Sequence, residues 1–164
     1  MKIENSEKNL KISFKAFKKK VLEDYRLAVL SRECSLLGRR EVFSGKGAFG
    51  IFGDGKELPQ LAMNHFFQNG DYRSGYYRDQ TLLMAQGLLS VSNIFAALYA
   101  DLDRSREPMS GGRQMGGHFT SASRDLNGNW LDVINLKNHS GDVSPTGSQM
   151  PRLLGLALAS KIYR

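Results

Sequence analysis

The sequence predicts an α/β fold in which helices predominate. Three observations support this prediction. A long stretch of helical periodicity lies near the N-terminus, shorter helix patterns separated by glycine and proline follow it, and the last third of the chain contains short segments that could be strands. With 164 residues the chain is long enough for one domain with a modest core.

The first part of the chain is predicted to be one long helix followed by a loop and a second helix. Apolar residues recur at three-and-four spacing between Phe14 and Val29, which predicts a helix over about residues 13–37 with Gly38 as its stop signal. The glycine-rich segment that follows cannot be regular structure throughout and predicts a loop. Pro59 suits the first turn of a second helix, which is expected to end near residues 69–70.

Two further helices are predicted in the middle of the chain. The third covers about residues 80–89, and the fourth follows with Ser90 or Ser92 as its N-cap. Residues 103–117 are polar and contain proline and glycine, so they predict a long loop, and long ordered loops commonly carry function.

The C-terminal part combines one ambiguous segment with a final helix. Residues 130–137 fit a strand or a short helix equally well, because their periodicity does not decide between the two. The sequence from Gly141 onward predicts a short strand, a tight turn and then a helix. Because the run Leu153–Ala159 is almost wholly apolar, this last helix is expected to be buried.

The basic character of the chain is concentrated at its N-terminus. The formal net charge is +7, and residues 1–40 carry 11 Lys or Arg against 5 Asp or Glu. A basic helix can bind nucleic acid, but it is more commonly a solvated helix face. The rest of the chain lacks interleaved aromatic and basic residues, so no nucleic-acid partner is expected.

Cysteine and histidine content limits the other possibilities. Cys34 is the single cysteine, so an intrachain disulfide is impossible, which fits a reducing cytoplasm. With three histidines and no second cysteine, a zinc site is not expected. Apolar runs are too short to span a bilayer and no secretory signal is visible, so no membrane partner is expected.

The strongest candidate site is the segment "GYYRDQ", which stands directly before the third predicted helix. Arg78 offers a rigid fork of donors suited to a phosphate, Tyr77 adds a hydroxyl, and the start of the helix adds N–H groups. The alternative is simple packing for the tyrosines and helix capping for Asp79. Arg73, five residues before Arg78, is interpreted as a solvated loop charge.

Two later motifs offer further candidates. "SPTGSQMP" begins at Ser144 and has hydroxyl, carboxamide and bent-backbone groups before a helix, which suits a ligand or a monovalent cation as well as an ordinary capped helix start. "GGRQMGGHF" places His118 in the long loop, where it could bind an anion or serve acid–base chemistry, although a single loop histidine is more often inert.

Taken in order, "YYRDQ", "GGRQMGGHF" and "SPTGSQMPRLLGLALASK" resemble the α subunit of the decarboxylating first component of thiamine-diphosphate-dependent 2-oxo acid dehydrogenases. The resemblance covers about residues 48–164 and is closer to the branched-chain (2-oxoisovalerate) enzymes than to the pyruvate enzymes. "GIFGDGKE" also resembles a bacterial subgroup in which α and β portions are fused. The tripeptide Gly53–Gly55 itself is interpreted as a turn and not as the metal motif of thiamine-diphosphate enzymes, because residues 75–90 lack the asparagine ligand that should follow.

The resemblance implies specific roles for residues of this chain. Tyr77 and Arg78 would bind the diphosphate of thiamine diphosphate, and His118 would belong to the active-site loop, where relatives often have proline in place of Gly116-Gly117. The remaining cofactor and cation ligands would come from one turn: Ser144, Pro145 and Thr146 for the cofactor, and Ser148 and Gln149 for a potassium ion.

The resemblance also implies an organisation and partners. Residues 1–45 would be an N-terminal helical extension, and residues 46–164 an incomplete, truncated start of the thiamine-diphosphate-binding parallel-sheet domain. The magnesium ligands would lie outside this chain, and the partners would be a β subunit or β portion and a lipoyl-bearing acyltransferase. The expected activity is oxidative decarboxylation of a branched-chain 2-oxo acid with transfer of the acyl group to the lipoyl group. This chain alone would not catalyse that reaction. The alternatives are an inactive fragment or interaction module, and a pyruvate dehydrogenase α subunit.

Overall fold

The computed structural model describes residues 12–125, 127–141 and 144–162. In chain order its elements are α1 (Phe14–Phe43), α2 (Glu57–Asn64), β1 (Tyr72–Ser74), α3 (Gln80–Ala85), α4 (Val91–Leu98), a 3₁₀ turn (Val133–Asn135), β2 (Asn138–Ser140) and α5 (Gln149–Ile162). The two strands pair in parallel with Tyr72 opposite Asn138 and Ser74 opposite Ser140. A helical chain with a small parallel sheet is consistent with the predicted α/β class.

Helix α1 is longer than predicted, because Gly38 does not end it. A methyl group at Gly38 would lie 2.4 Å from the ring of Phe52, so this glycine allows close packing within the C-terminal part of the helix. The helix ends at Phe43, followed by Gly45, whose φ of +76° is the left-handed conformation that favours glycine after a helix. The N-terminus agrees with prediction: the Ser13 hydroxyl accepts a hydrogen bond from the N–H of Ala16 at 3.2 Å.

A buried polar cluster joins α1 to the start of α3. The side-chain Nε2 of Gln80 donates to the hydroxyl of Ser35 at 2.8 Å and to the carbonyl of Ser31 at 3.0 Å. The hydroxyls of Ser31 and Thr81 are 2.7 Å apart. Because these side chains are buried and satisfy one another, they fix the first turn of α3, and hence the segment before it, against α1.

The other short helices follow the sequence signals with shifted ends. Helix α2 has Pro59 in its first turn as predicted, but it ends at Asn64, before the expected residues 69–70. Helix α3 ends at Ala85, before the expected residue 89. Ser90 is the N-cap of α4 and forms a capping box with Asn93.

The region over residues 130–137, predicted as a strand or a short helix, contains a short helical turn, the 3₁₀ turn Val133–Asn135. The strand β2 begins directly after this region and has three residues, Asn138–Ser140. β1 itself was not predicted. The short strand expected after Gly141 falls on Asp142 and Val143, which lie outside the described residues.

The described core is small and lies beside the long loop. Leu83, Leu89 and Phe119 form its buried cluster, and Met84, Ile94 and Met109 pack against it. The loop over residues 103–117 folds around the buried carboxylate of Glu107. This carboxylate accepts hydrogen bonds from the N–H groups of Met109, Ser110 and Gly112 and from the Ser110 hydroxyl, at 2.7–3.0 Å.

The predicted burial of the last helix is wrong for this chain. Leu153, Leu154 and Leu158 of α5 keep 50–73% of their surface exposed. The apolar stripe of α1 is also exposed over its N-terminal half, where Phe14 is 78% exposed. In the described residues no other element covers these two faces. None of the described helices is long and apolar enough to cross a membrane.

Candidate functional site

The predicted phosphate-binding segment is a tight turn between β1 and α3. The N–H of Asp79 donates to the carbonyl of Tyr76 at 3.0 Å, which closes a four-residue β-turn with Tyr77 and Arg78 at its two central positions. Asp79 precedes α3, but its side chain makes no capping hydrogen bond. Its carboxylate accepts instead from the N–H of Tyr76 at 3.0 Å and from Nε of Arg73 at 2.9 Å.

The two tyrosine hydroxyls form a continuous polar edge with the C-terminal turn. The Tyr76 hydroxyl donates to the Tyr77 hydroxyl at 2.8 Å and lies 3.3 Å from the Thr146 hydroxyl. The hydrogen bond with Tyr76, together with desolvation, raises the pKa of the Tyr77 phenol above its usual value. Tyr77 therefore stays protonated at neutral pH and can act as a donor to an anion.

His118 links the long loop to both of these segments. Its ring lies 6.2 Å from the Tyr77 ring at an interplanar angle of 23°. Nδ1 is 3.0 Å from the carbonyl of Met115, and a carbonyl only accepts, so Nδ1 carries the proton. In the neutral ring Nε2 then accepts from the Ser144 hydroxyl at 2.7 Å.

Arg78 is fixed through its backbone, and part of its side chain lacks a protein partner. The side chain of Gln60 donates to the Arg78 carbonyl at 3.0 Å. A methyl group at Gly53 would lie 2.3 Å from the same oxygen, so the Gly53–Gly55 loop needs glycine to approach this turn. The guanidinium lies 5.7 Å from the centre of the Tyr77 ring. Within the described part of the chain, Nε of Arg78 is buried without a hydrogen-bond partner.

The Arg78 side chain also borders a cavity of about 260 Å³ that is partly lined by Arg39 and Asp54. These two residues form an ion pair between α1 and the Gly53–Gly55 loop. The structure therefore does not place every predicted ligand in one contact cluster. It joins Tyr77, His118, Ser144 and Thr146 directly or through Tyr76, and it sets the Arg78 guanidinium beside Tyr77.

The predicted cofactor and cation turn is compact and anchored to the sheet. The N–H of Ser148 donates to the carbonyl of Pro145 at 3.2 Å, and the N–H of Gly147 donates to Oε1 of Gln149 at 3.0 Å. Gly147 has a φ of +92°, a conformation that glycine adopts without strain. The Ser74 hydroxyl of β1 donates to the carbonyl of Gln149 at 2.8 Å. The assignment of Ser148 and Gln149 to a cation stays a prediction.

The usual metal ligands in proteins are histidine, cysteine and carboxylate side chains. The part of the chain that the structure describes contains no cluster of three or more His, Cys, Asp or Glu side chains with the geometry to hold a metal ion.

Two residues behind the site were missed by the sequence analysis. Arg73 is not a solvated loop charge: it is 6% exposed, because it lies on β1 and its side chain folds under the turn. Its register partner His139 on β2 is 2% exposed. Burial, followed by the positive charges of Arg73 and Lys137, lowers the pKa of His139 to about 4. The pairing of β1 with β2 would have revealed this contact, but no local signal marks the three residues of β1 as a strand.

Comparison with known proteins supports the resemblance drawn from the motifs. No protein-family model matches the sequence. The chain is, however, distantly similar to an α subunit of the branched-chain 2-oxo acid dehydrogenases, as the motifs suggested. A similar curated protein is the 2-oxoisovalerate dehydrogenase subunit alpha of Bacillus subtilis (strain 168). It is 31% identical over an alignment of 146 positions that covers 85% of this chain. The chain spans 38% of the length of that relative.

Proposed function

We propose that this chain contributes part of the thiamine diphosphate site of a branched-chain 2-oxo acid dehydrogenase. The observation that carries the proposal is the meeting of three distant segments: the Tyr76–Asp79 turn, His118 and the Ser144–Thr146 turn. These are the three motifs on which the resemblance was drawn. Although they lie far apart in sequence, their side chains meet through two hydrogen bonds and one ring contact. The Bacillus subtilis relative is named for 2-oxoisovalerate, so the proposed substrate class is a 2-oxo acid of that type.

The donor set fits a diphosphate group. Arg78 is a permanent cation whose Nε is buried and unpaired within the described residues, and a buried donor without a partner is costly unless a ligand satisfies it. Tyr77 is a protonated phenol beside it. Cation and neutral donors together match the charge and the acceptor oxygens of a diphosphate.

The remaining predicted residues have distinct proposed roles. Ser144, Pro145 and Thr146 would lie against the cofactor, while Ser148 and Gln149 would supply oxygens to a potassium ion at the start of α5. His118 would place its loop at the end of the site where the reaction takes place. In the structure its orientation is set by Met115 on one side and Ser144 on the other.

The cofactor, when bound, supplies the chemistry that decarboxylates a 2-oxo acid. The residues of this chain would bind and orient the cofactor. Arg78 and Tyr77 would hold its diphosphate, and the Ser144–Thr146 turn would limit where the rest of the cofactor can lie. The proposed partners are a β subunit or β portion and a lipoyl-bearing acyltransferase. Magnesium ligands would come from sequence beyond this chain, so we assign turnover to the complete enzyme.

The test is the affinity for thiamine diphosphate of the complete enzyme that contains this chain, measured by calorimetry at fixed magnesium. Removing one side of a desolvated charge pair costs roughly 2–5 kcal/mol in measured complexes. Arg78→Ala should therefore weaken binding by at least about tenfold, which corresponds to roughly 1.4 kcal/mol. Arg78→Lys should recover part of the loss, because the charge returns without the fork.

The matched control is Arg104→Ala, which removes an exposed arginine of the long loop and should change the affinity little. If Arg78→Ala binds thiamine diphosphate as tightly as the parent enzyme, the diphosphate assignment is wrong and Arg78 only packs beside Tyr77.

A further inference from the structure

Arg73 lies directly behind the turn that carries Tyr77 and Arg78, and it contacts that turn at both ends. Its Nε donates to the Asp79 carboxylate at 2.9 Å, and its Nη2 donates to the carbonyl of Tyr76 at 3.2 Å. Tyr76 and Asp79 are the first and last residues of the four-residue turn. One guanidinium group therefore contacts both the first and the last residue of the turn that carries Tyr77 and Arg78.

The third side of the guanidinium contacts the sheet. Nη1 of Arg73 lies 3.3 Å from Nδ1 of His139, its register partner on β2. Nε2 of His139 lies 2.6 Å from Oε1 of Gln86, which only accepts, so Nε2 carries the proton and Nδ1 accepts from Arg73. The His139 ring is stacked on Phe67 at 5.5 Å and meets Phe119 edge-on at 5.8 Å, so the acceptor itself is held in place.

The sequence at Gly75 fits this arrangement. A methyl group there would lie 2.7–2.8 Å from three atoms of the Arg73 guanidinium. Gly75 is buried, and its φ is not in the left-handed region, so the glycine is needed for space and not for backbone conformation. The chain therefore leaves room at this position for the guanidinium to fold back under the turn.

We propose that Arg73 is a positioning residue for the diphosphate-binding pair, because it fixes both corners of the turn that presents Tyr77 and Arg78. This inference rests on the proposed function. Arg73 is too buried to touch the cofactor, since only 5% of its side chain is exposed, so it acts through the turn. A planar guanidinium can bond Asp79, Tyr76 and His139 at once in a fixed geometry, which a lysine cannot do. Because small misplacements of binding groups are costly, losing this support should weaken cofactor binding without removing a ligand.

The test uses the complete enzyme and compares four variants by two measurements. The first measurement is affinity for thiamine diphosphate by calorimetry, and the second is hydrogen exchange of the backbone amides over residues 74–80 without cofactor. Arg73→Met keeps an apolar stem but removes every donor. We expect it to weaken binding of thiamine diphosphate by at least about tenfold, which corresponds to roughly 1.4 kcal/mol. We also expect it to speed hydrogen exchange in the turn. Arg73→Lys should recover part of both effects through Asp79.

A second variant covers the case in which Arg73→Met does not fold. Gly75→Ala keeps the Arg73 charge but displaces the guanidinium from below the turn, so it should weaken binding in the same direction. Leu98→Ala is the control for general loss of stability, because Leu98 is a buried core residue of α4 and makes no described hydrogen bond to the turn. It should leave affinity within about twofold and exchange in the turn unchanged.

The outcomes separate the two proposals. If the parent enzyme binds thiamine diphosphate but Arg73→Met and Gly75→Ala bind it within about twofold of the parent, Arg73 is not a positioning residue and the proposed function stands. If Leu98→Ala loses affinity as much as Arg73→Met, the effect is general destabilisation and the inference is again overturned. If the parent itself does not bind thiamine diphosphate, the proposed function fails and this inference fails with it.

Discussion

Lowering the pH should destabilise this chain through His139. Burial and the neighbouring charges of Arg73 and Lys137 lower the pKa of this histidine from 6.5 to about 4 in the folded protein. The ring is therefore neutral at pH 7, where Nδ1 can accept from Arg73. In the unfolded chain the same ring has its ordinary pKa and takes up a proton at a higher pH.

The sign and magnitude follow from this difference. Because the folded pKa lies below the unfolded one, the unfolded state binds the proton first, and stability is lost as the pH falls from about 6.5 to about 4. A shift of one pKa unit corresponds to 1.36 kcal/mol, so the whole loss is about 3 kcal/mol. Between about pH 7 and about pH 5 the same linkage gives a loss of about 2 kcal/mol.

The assay is reversible urea unfolding at low protein concentration, repeated at about pH 7, 6 and 5 for the parent chain and for His139→Gln. Glutamine keeps a donor and an acceptor near Arg73 and Gln86 but does not titrate. The pH-dependent loss of unfolding free energy should be smaller by about 2 kcal/mol in the variant over this range. The carboxyl groups of Asp103, Glu107 and Asp125 have pKa values lowered below their ordinary values, and they contribute equally to both proteins. Parallel pH curves for the two proteins would refute the reasoning, because they would show that His139 is not the group that takes up the proton.

Two further outcomes concern packing. The exposed leucines of α5 should make the isolated chain self-associate, so light scattering should show species larger than a monomer. The double variant Leu154→Lys with Leu158→Lys should shift the population toward the monomer, and a parent chain that stays monodisperse and monomeric would contradict this prediction. Gly38→Ala should destabilise the folded chain by about 1–3 kcal/mol, because the added methyl group overlaps the ring of Phe52. Gly155→Ala lies in open space on α5 and should stabilise the chain by up to about 1 kcal/mol. Both effects are measured by urea unfolding, and equal effects of the two substitutions would count against the close packing described for Gly38.

Local signals in the sequence predicted part of the fold well. The N-cap serine of α4 and the proline of α2 act within one helical turn, so their effects do not depend on distant contacts. Gly38 was misinterpreted because a glycine in a sequence does not reveal whether it ends a helix or makes room for a ring. Phe52, the ring in question, is fourteen residues away.

The candidate site was predictable where a motif carries its own chemistry. Tyr77, His118 and Ser144 were selected separately, and the structure brings them together. Arg73 was misassigned because its burial depends on a strand of three residues that pairs with a segment about 65 residues later. Pairing of that kind cannot be inferred from local periodicity, so the support behind the turn became visible only in three dimensions.

The buried carboxylate of Glu107 has a consequence for how the long loop can change during evolution. Burial alone would raise the pKa of this carboxyl, but hydrogen bonds from Gly112, Ser110 and Met109 outweigh burial and hold the pKa below its usual value. Three of these bonds come from backbone N–H groups, which every residue except proline possesses. Loop order thus depends on the acid and not on the identity of most side chains around it. Exposed positions outside the motifs, such as Arg104, can therefore vary among descendants of this chain while the base of the loop that carries His118 keeps its shape.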